Sequence, residues 1–166
     1  MIKKKNCALY PGTFDPVTYG HIDIIRRASR IFEKVIVAVA RDSGKTTLFS
    51  VPERETMLRE SIRGLKNVTV DSFSGLVVEY ARSIGAAVVI RGIRMLSDFE
   101  YEFQMALTNR KLHSDVETVF LMPHESYSYI SSKLIKEASG LGADLKAFIS
   151  PKVSRLLKDR LRRTAR

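Results

Sequence analysis

One cysteine, Cys7, is all this chain of 166 residues contains, so no internal disulfide can form and a reducing compartment fits. Cys7 is expected to be a small core residue of the first strand. No apolar run approaches the ~20 residues of a membrane span. The basic stretch Met1-Ile2-Lys3-Lys4-Lys5-Asn6 leads into a run too short for the apolar region of a signal peptide. The cytoplasm is therefore the simplest location, with no membrane partner. A GxGxxG fingerprint is missing from the first strand–helix turn, which argues against an NAD or FAD enzyme. Ser43-Gly44-Lys45-Thr46-Thr47 resembles a Walker A loop, but the glycine required five positions before Gly44 is Val39. No His/Cys cluster has zinc spacing and no G-x-S-x-G elbow occurs. Linkers, repeats and low-complexity segments are lacking too, so residues 1–166 are expected to form one domain with a proper core. A hydrophobic content of 45% excludes a disordered chain.

The formal charge of +10 raises the question of nucleic-acid binding, and its location answers it. Lys3, Lys4 and Lys5 supply three charges, and Lys152 to Arg166 carries seven basic residues against Asp159 alone. Between Cys7 and Pro151 the remaining 18 basic and 17 acidic residues nearly cancel. Such termini are usually solvated tails or helix faces, so no nucleic-acid partner is expected.

What is present alternates. Cys7-Ala8-Leu9-Tyr10, Val35 to Ala40, Val68-Thr69-Val70, Ala86 to Ile90 and Val119 to Met122 read as buried strands, and helical patterns lie between them. Ser50-Val51-Pro52-Glu53 and Ser97-Asp98-Phe99-Glu100 read as capping boxes, and Ser150-Pro151 as the start of a basic last helix over about 151–166. Leu156, Leu157 and Leu161 could give that helix a packing stripe. Alternation of this kind predicts an α/β fold, a doubly wound parallel sheet covered on both faces, with ligands at the carboxyl ends of the strands.

The first strand–helix junction is the most informative stretch: Tyr10-Pro11-Gly12-Thr13-Phe14-Asp15-Pro16-Val17-Thr18-Tyr19-Gly20-His21. Ile22, Ile25, Ala28 and Phe32 then recur about one helical turn apart, with Arg26, Arg27 and Arg30 left for water. A helix N-terminus presents unpaired N–H groups and a positive dipole, so it attracts phosphate. Thr18 and His21, three apart, can aim a hydroxyl and an imidazole at one anion.

Thr18-Tyr19-Gly20-His21 resembles the T/HxGH signature of the nucleotidyltransferase superfamily. Arg91-Gly92-Ile93-Arg94, Asp98-Phe99-Glu100-Tyr101-Glu102 and Ile130-Ser131-Ser132-Lys133-Leu134-Ile135-Lys136-Glu137 follow in order. Together they resemble the bacterial phosphopantetheine adenylyltransferase family over nearly the whole chain. The resemblance implies a Rossmann-like, five-stranded nucleotidyltransferase fold and adenylyl transfer from ATP to 4′-phosphopantetheine, giving dephospho-coenzyme A and pyrophosphate. It also implies a cytoplasmic homohexamer and Mg²⁺ carried mainly by the ATP phosphates and water.

Residue by residue, the resemblance makes His21 the transition-state stabiliser at the α-phosphate, with Lys45 and Arg91 as the other catalytic cations. Thr13, Lys45, Val77 and Arg91 would bind phosphopantetheine. Thr13, Phe14, His21, Gly92, Ile93, Arg94, Glu102 and the run Tyr127, Ser128, Tyr129, Ile130, Ser131, Ser132 and Lys133 would bind ATP. Each has a plainer reading: Arg91 could pair with Asp98 or Glu102, Val77 could be helix core, and the serines could be ordinary N-caps. Lys133 stands where the family often has serine, and either contacts phosphate or points to solvent. His113 and His124 read as surface or structural, and Phe99, Tyr101 and Phe103 as core and subunit contacts. Two rivals remain: a sister nucleotidyltransferase with an acceptor such as nicotinamide mononucleotide or a phosphoalcohol, and a basic nucleic-acid-binding protein on the same fold.

Overall fold

A computed structural model describes residues 7–42, 44 and 46–164. Five strands, β1 (Cys7–Gly12), β2 (Lys34–Ala40), β3 (Val68–Phe73), β4 (Val88–Gly92) and β5 (Glu117–Leu121), pair in parallel in the order β3-β2-β1-β4-β5. The helices between and after them are α1 (Tyr19–Ile31), α2 (Val51–Ser61), α3 (Val77–Ser83), α4 (Leu96–Leu112), α5 (Ser132–Gly140) and α6 (Pro151–Thr164).

Strand residues alternate between two cores, which explains why the central runs read as continuously apolar. Ala8, Tyr10, Val35, Val37, Val39 and Ile90 join the helical residues Ile22, Ile25, Leu58, Ile135 and Leu157 on one face. Leu9, Ile36, Ala38 and Val89 join Val78 and Ala81 on the other. After β3 the chain crosses over β1 and β2 to begin β4 on the far side of β1. The carboxyl ends of β1 and β4 therefore flank a topological switch point, the place in such sheets where ligands bind.

Several local expectations are corrected. The segment Ser97 to Glu100 is not a capping box: α4 starts at Leu96, its N-cap is Met95, and no side chain caps it. With the helix begun at Leu96, Ser97 lies inside the first turn rather than at the cap, and Asp98 pairs with Arg94 at 3.2 Å. Val153 and Leu157 bury α6, with Leu161 partly covered, whereas Leu156 is 40% exposed. Phe99, Tyr101 and Phe103 are exposed and form no part of the core of this chain. On α4 only Glu102 and Asn109 are buried, so this helix turns a largely apolar surface to solvent.

Candidate active site

The loop leaving β1 is built around a tight ring cluster. Phe14 has a left-handed backbone, φ 52°, and its ring lies edge-on to Tyr10 at 5.5 Å and to His21 at 5.0 Å between centroids. Gly12 makes room for it, since a Cβ there would come within 2.8 Å of the Phe14 ring.

Thr18 caps α1 together with His21. The Thr18 N–H donates to His21 Nδ1 at 3.1 Å, and the His21 N–H donates to Thr18 Oγ1 at 3.4 Å. Thr18 is 2% exposed, so its hydroxyl serves this box and is not aimed at an anion as the spacing suggested. The cap sets the chemistry of the imidazole. Nδ1 must be unprotonated to accept, which places the proton of the neutral ring on Nε2 and leaves Nε2–H as a donor for a ligand.

Burial, then repulsion by Arg94, lowers the His21 pKa to about 4. An NMR titration of the free protein is expected to show His21 Cε1–H changing near pH 4 rather than near 6.5. Because the folded form resists the proton that the unfolded chain takes up, stability is lost as pH falls from about 6.5 toward 4. A midpoint above 6 would contradict the burial and the Arg94 repulsion assigned to this ring.

Arg91 lies within β4, one residue before its end, rather than after it. Its Nε and Nη2 donate to the Glu102 carboxylate at 2.7 and 2.6 Å, and Nη1 reaches the Pro11 carbonyl at 3.3 Å. Glu102 is 9% exposed, and its carboxylate serves the guanidinium of Arg91. Gly92 lets α1 approach, because a Cβ there would sit 2.6 Å from Ile24 Cδ1. Ile93 is buried and donates its N–H to the Leu121 carbonyl, so its amide is committed to the sheet edge. Arg94 bridges two segments, pairing with Asp98 and donating from Nη1 to the Ile130 carbonyl at 2.8 Å.

The approach to α5 supplies the opposite wall. Tyr127 closes a 3-10 turn (Glu125–Tyr127) and lies 6.1 Å from the Tyr19 ring. Ser128 donates to the Glu125 carbonyl, Tyr129 is 58% exposed, and Ile130 is core. Ser131 caps α5 by accepting from the Leu134 N–H, and the Ser132 hydroxyl donates to the Pro16 carbonyl at 2.8 Å. The opening amides of Ser132 and Lys133 lack an intrahelical acceptor and are available to an anion. The Lys133 side chain is 88% exposed and only 4.0 Å from Glu137, which favours the solvent-pointing reading.

The structure thus brings Thr13, Phe14, His21, Arg91, Arg94, Glu102 and the start of α5 around the switch point. Val77 opens α3 and packs on the second core with Ala40 and Tyr80. Lys45 lies outside the described residues. Of two cavities, of about 610 and 470 Å³, the smaller is lined in part by Tyr19 and Tyr127, and neither includes Thr13, His21, Arg91 or Arg94.

Three residues carry connections that sequence reasoning missed. Asp15, Arg54 and Lys136 are charged, and their partners lie far away in sequence, so no local pattern marks them. Arg54, 1% exposed, donates to the carbonyls of Thr13 (2.7 Å), Ala40 (3.1 Å) and Phe49 (3.1 Å). It thereby pins the loops that follow β1 and β2.

A family model described as cytidylyltransferase-like matches residues 9–138. The chain is 50% identical over 157 residues to the phosphopantetheine adenylyltransferase of Caldanaerobacter subterraneus, covering 95% of this chain and 98% of that one. It is 53% identical over 153 residues to the namesake in Moorella thermoacetica, covering 92% and 96% respectively. Among solved structures, a nicotinic acid mononucleotide adenylyltransferase of Plasmodium falciparum complexed with NaAD superposes with a TM-score of 0.68 at 15% identity, covering 96% of each chain. That last likeness concerns the fold, a parallel five-stranded nucleotidyltransferase sheet, while identity of half or more over nearly full length concerns kinship. On that kinship, the chain belongs to the phosphopantetheine adenylyltransferase family of cytidylyltransferase-like nucleotidyltransferases.

Proposed function

We propose that this chain transfers the adenylyl group of ATP to 4′-phosphopantetheine, yielding dephospho-coenzyme A and pyrophosphate. The observation that carries the reading is a neutral imidazole with a fixed Nε2–H donor, set beside two arginines and a helix N-terminus at the switch point. Transfer of this kind asks little covalent help of a protein. An oxygen of the acceptor phosphate attacks the α-phosphorus in line, and the bond to the α–β bridging oxygen breaks as pyrophosphate leaves. His21 Nε2–H donates to an α-phosphate oxygen as charge gathers there. Arg91 binds the acceptor phosphate, Arg94 and the opening amides of α5 hold the outgoing phosphates, and Thr13, Phe14 and Lys45 complete the cradle. Glu102 neutralises Arg91 until a phosphate competes for it.

Carboxylates near this site are already taken: Asp15 by Lys136, Glu102 by Arg91 and Asp98 by Arg94. Among the described residues no group of three or more His, Cys, Asp or Glu could hold a metal ion. Magnesium would enter with ATP, held mainly by its phosphates and by water.

The apolar surface of α4, with Leu96 86% exposed and Tyr101 62%, supports the reading that copies of the chain associate, and the family resemblance alone makes the assembly a cytoplasmic hexamer. No helix among the described residues is long and apolar enough to cross a membrane.

The test is pyrophosphate release from MgATP with 4′-phosphopantetheine, nicotinamide mononucleotide or no acceptor. Turnover is expected with phosphopantetheine alone. Turnover with nicotinamide mononucleotide instead would keep the chemistry and change the acceptor. Silence from folded protein with every acceptor would overturn the reading.

A further inference from the structure

Asp15 stands in the signature loop, yet it faces away from the proposed ligands and into the protein. It is 3% exposed. Its Oδ1 accepts from the Phe49 N–H at 2.9 Å, and its Oδ2 accepts from the Leu48 N–H at 2.9 Å and from Lys136 Nζ at 2.7 Å. Three segments meet on this carboxylate: the loop leaving β1, the loop between β2 and α2 that includes Lys45, and α5. Lys136 lies five residues beyond the serine that caps α5, and its side chain is only 26% exposed.

Stability alone is a poor reason for such a pair. Desolvating two charges costs about as much as their attraction returns, and an apolar pair of similar size often does as well. Apolar contact, however, has no direction and cannot set register. A carboxylate accepting three hydrogen bonds fixes the relative position of three segments, and two of them carry Thr13 and His21 on one side and the α5 amides on the other. Its neighbour Arg54 repeats the theme, tying Thr13 to Ala40 and Phe49.

We infer that Asp15 and Lys136 are positioning residues that hold the N-terminus of α5 in register with Thr13 and His21, and so set the span over which the ATP phosphates are gripped. The inference rests on the adenylyl-transfer reading above. It separates the two substrates, because α5 belongs to the nucleotide side while Arg91, on β4, belongs to the acceptor side.

The experiment is steady-state kinetics of the full chain and its Lys136→Met and Lys136→Arg variants, with thermal midpoints measured alongside. Lys136→Met is expected to raise the KM for ATP about tenfold, since small misplacements of phosphate-gripping groups are costly. The KM for phosphopantetheine should change less than twofold, and Lys136→Arg should recover most of the ATP affinity. An unchanged KM for ATP in Lys136→Met, or equal losses for both substrates, would overturn the positioning role. Should Lys136→Met not fold, the Asp15→Asn/Lys136→Met double variant removes both charges together and is held to the same split. An inactive parent protein would instead overturn the reaction itself, so the two failures are distinguishable.

Discussion

His21→Ala is expected to lower pyrophosphate release by roughly a hundredfold or more, because one preorganised donor at a developing oxyanion is commonly worth that. The fall should appear in kcat. On the proposed reading a ground-state phosphate would keep Arg94 and α5 as partners, so the KM for ATP should move little. One complication is built into the site: His21 also accepts the Thr18 N–H, so alanine removes half of a capping box as well as a donor. Losing such a cap costs about 1 kcal/mol. His21→Gln separates the two effects, since glutamine suits the third position of a capping box and can reach back to the Thr18 N–H. It should melt close to the parent protein and still turn over at least tenfold more slowly. Parent-like turnover in His21→Ala would remove the imidazole from the mechanism.

The largest expected loss of stability comes from Arg54→Met. Methionine replaces the bulk but leaves the carbonyls of Thr13, Ala40 and Phe49 buried without their donor. Each buried group left unsatisfied costs about 1–3 kcal/mol, and partial relaxation and entering water keep the total below the sum. A loss on the order of 4 kcal/mol is expected. For a chain of this size that corresponds to a fall of about 10 °C in thermal midpoint. Arg54→Lys, which keeps the charge and one or two donors, should lose roughly half as much. Calorimetry checks both, and a drop of less than about 3 °C in Arg54→Met would show that water replaces the guanidinium at no cost. Because Thr13 belongs to the proposed cradle, turnover measured well below the melting range should suffer too.

Much of the scaffold was legible because strands buried on both faces must read as short apolar runs. Val35 to Ala40 marked β2 to within a residue, and the Ser50–Glu53 box marked the start of α2, where Glu53 accepts from the Ser50 N–H at 2.8 Å. Strand ends were less clear. Arg91 looked like a loop residue because sequence weighs its charge, yet β4 keeps its backbone in the ladder opposite Phe120 while Glu102 satisfies the side chain. The Ser97 pattern failed because α4 begins before the serine, at Leu96, which leaves Ser97 inside the first turn, and a shift of so few residues leaves no mark in composition. Least visible were the long-range charges. Asp15 and Lys136 are 121 positions apart, and Arg54 finds Thr13 across 41, distances at which no periodicity leaves a trace. The motifs named the candidate residues, whereas the side chains that tie their segments together carried no such signal.

The sharing of one imidazole between helix cap and ligand donor also bears on how such a protein changes under selection. Reactive groups are commonly a burden on a fold, tolerated for their use and discarded when that use lapses. His21 is placed differently, since the first turn of α1 depends on the same Nδ1 whose occupation prepares Nε2. A lineage released from the need for the reaction would still favour at this position a side chain that reaches the Thr18 N–H, glutamine as readily as histidine. The spacing of the capping box can therefore outlast the imidazole that now fills it.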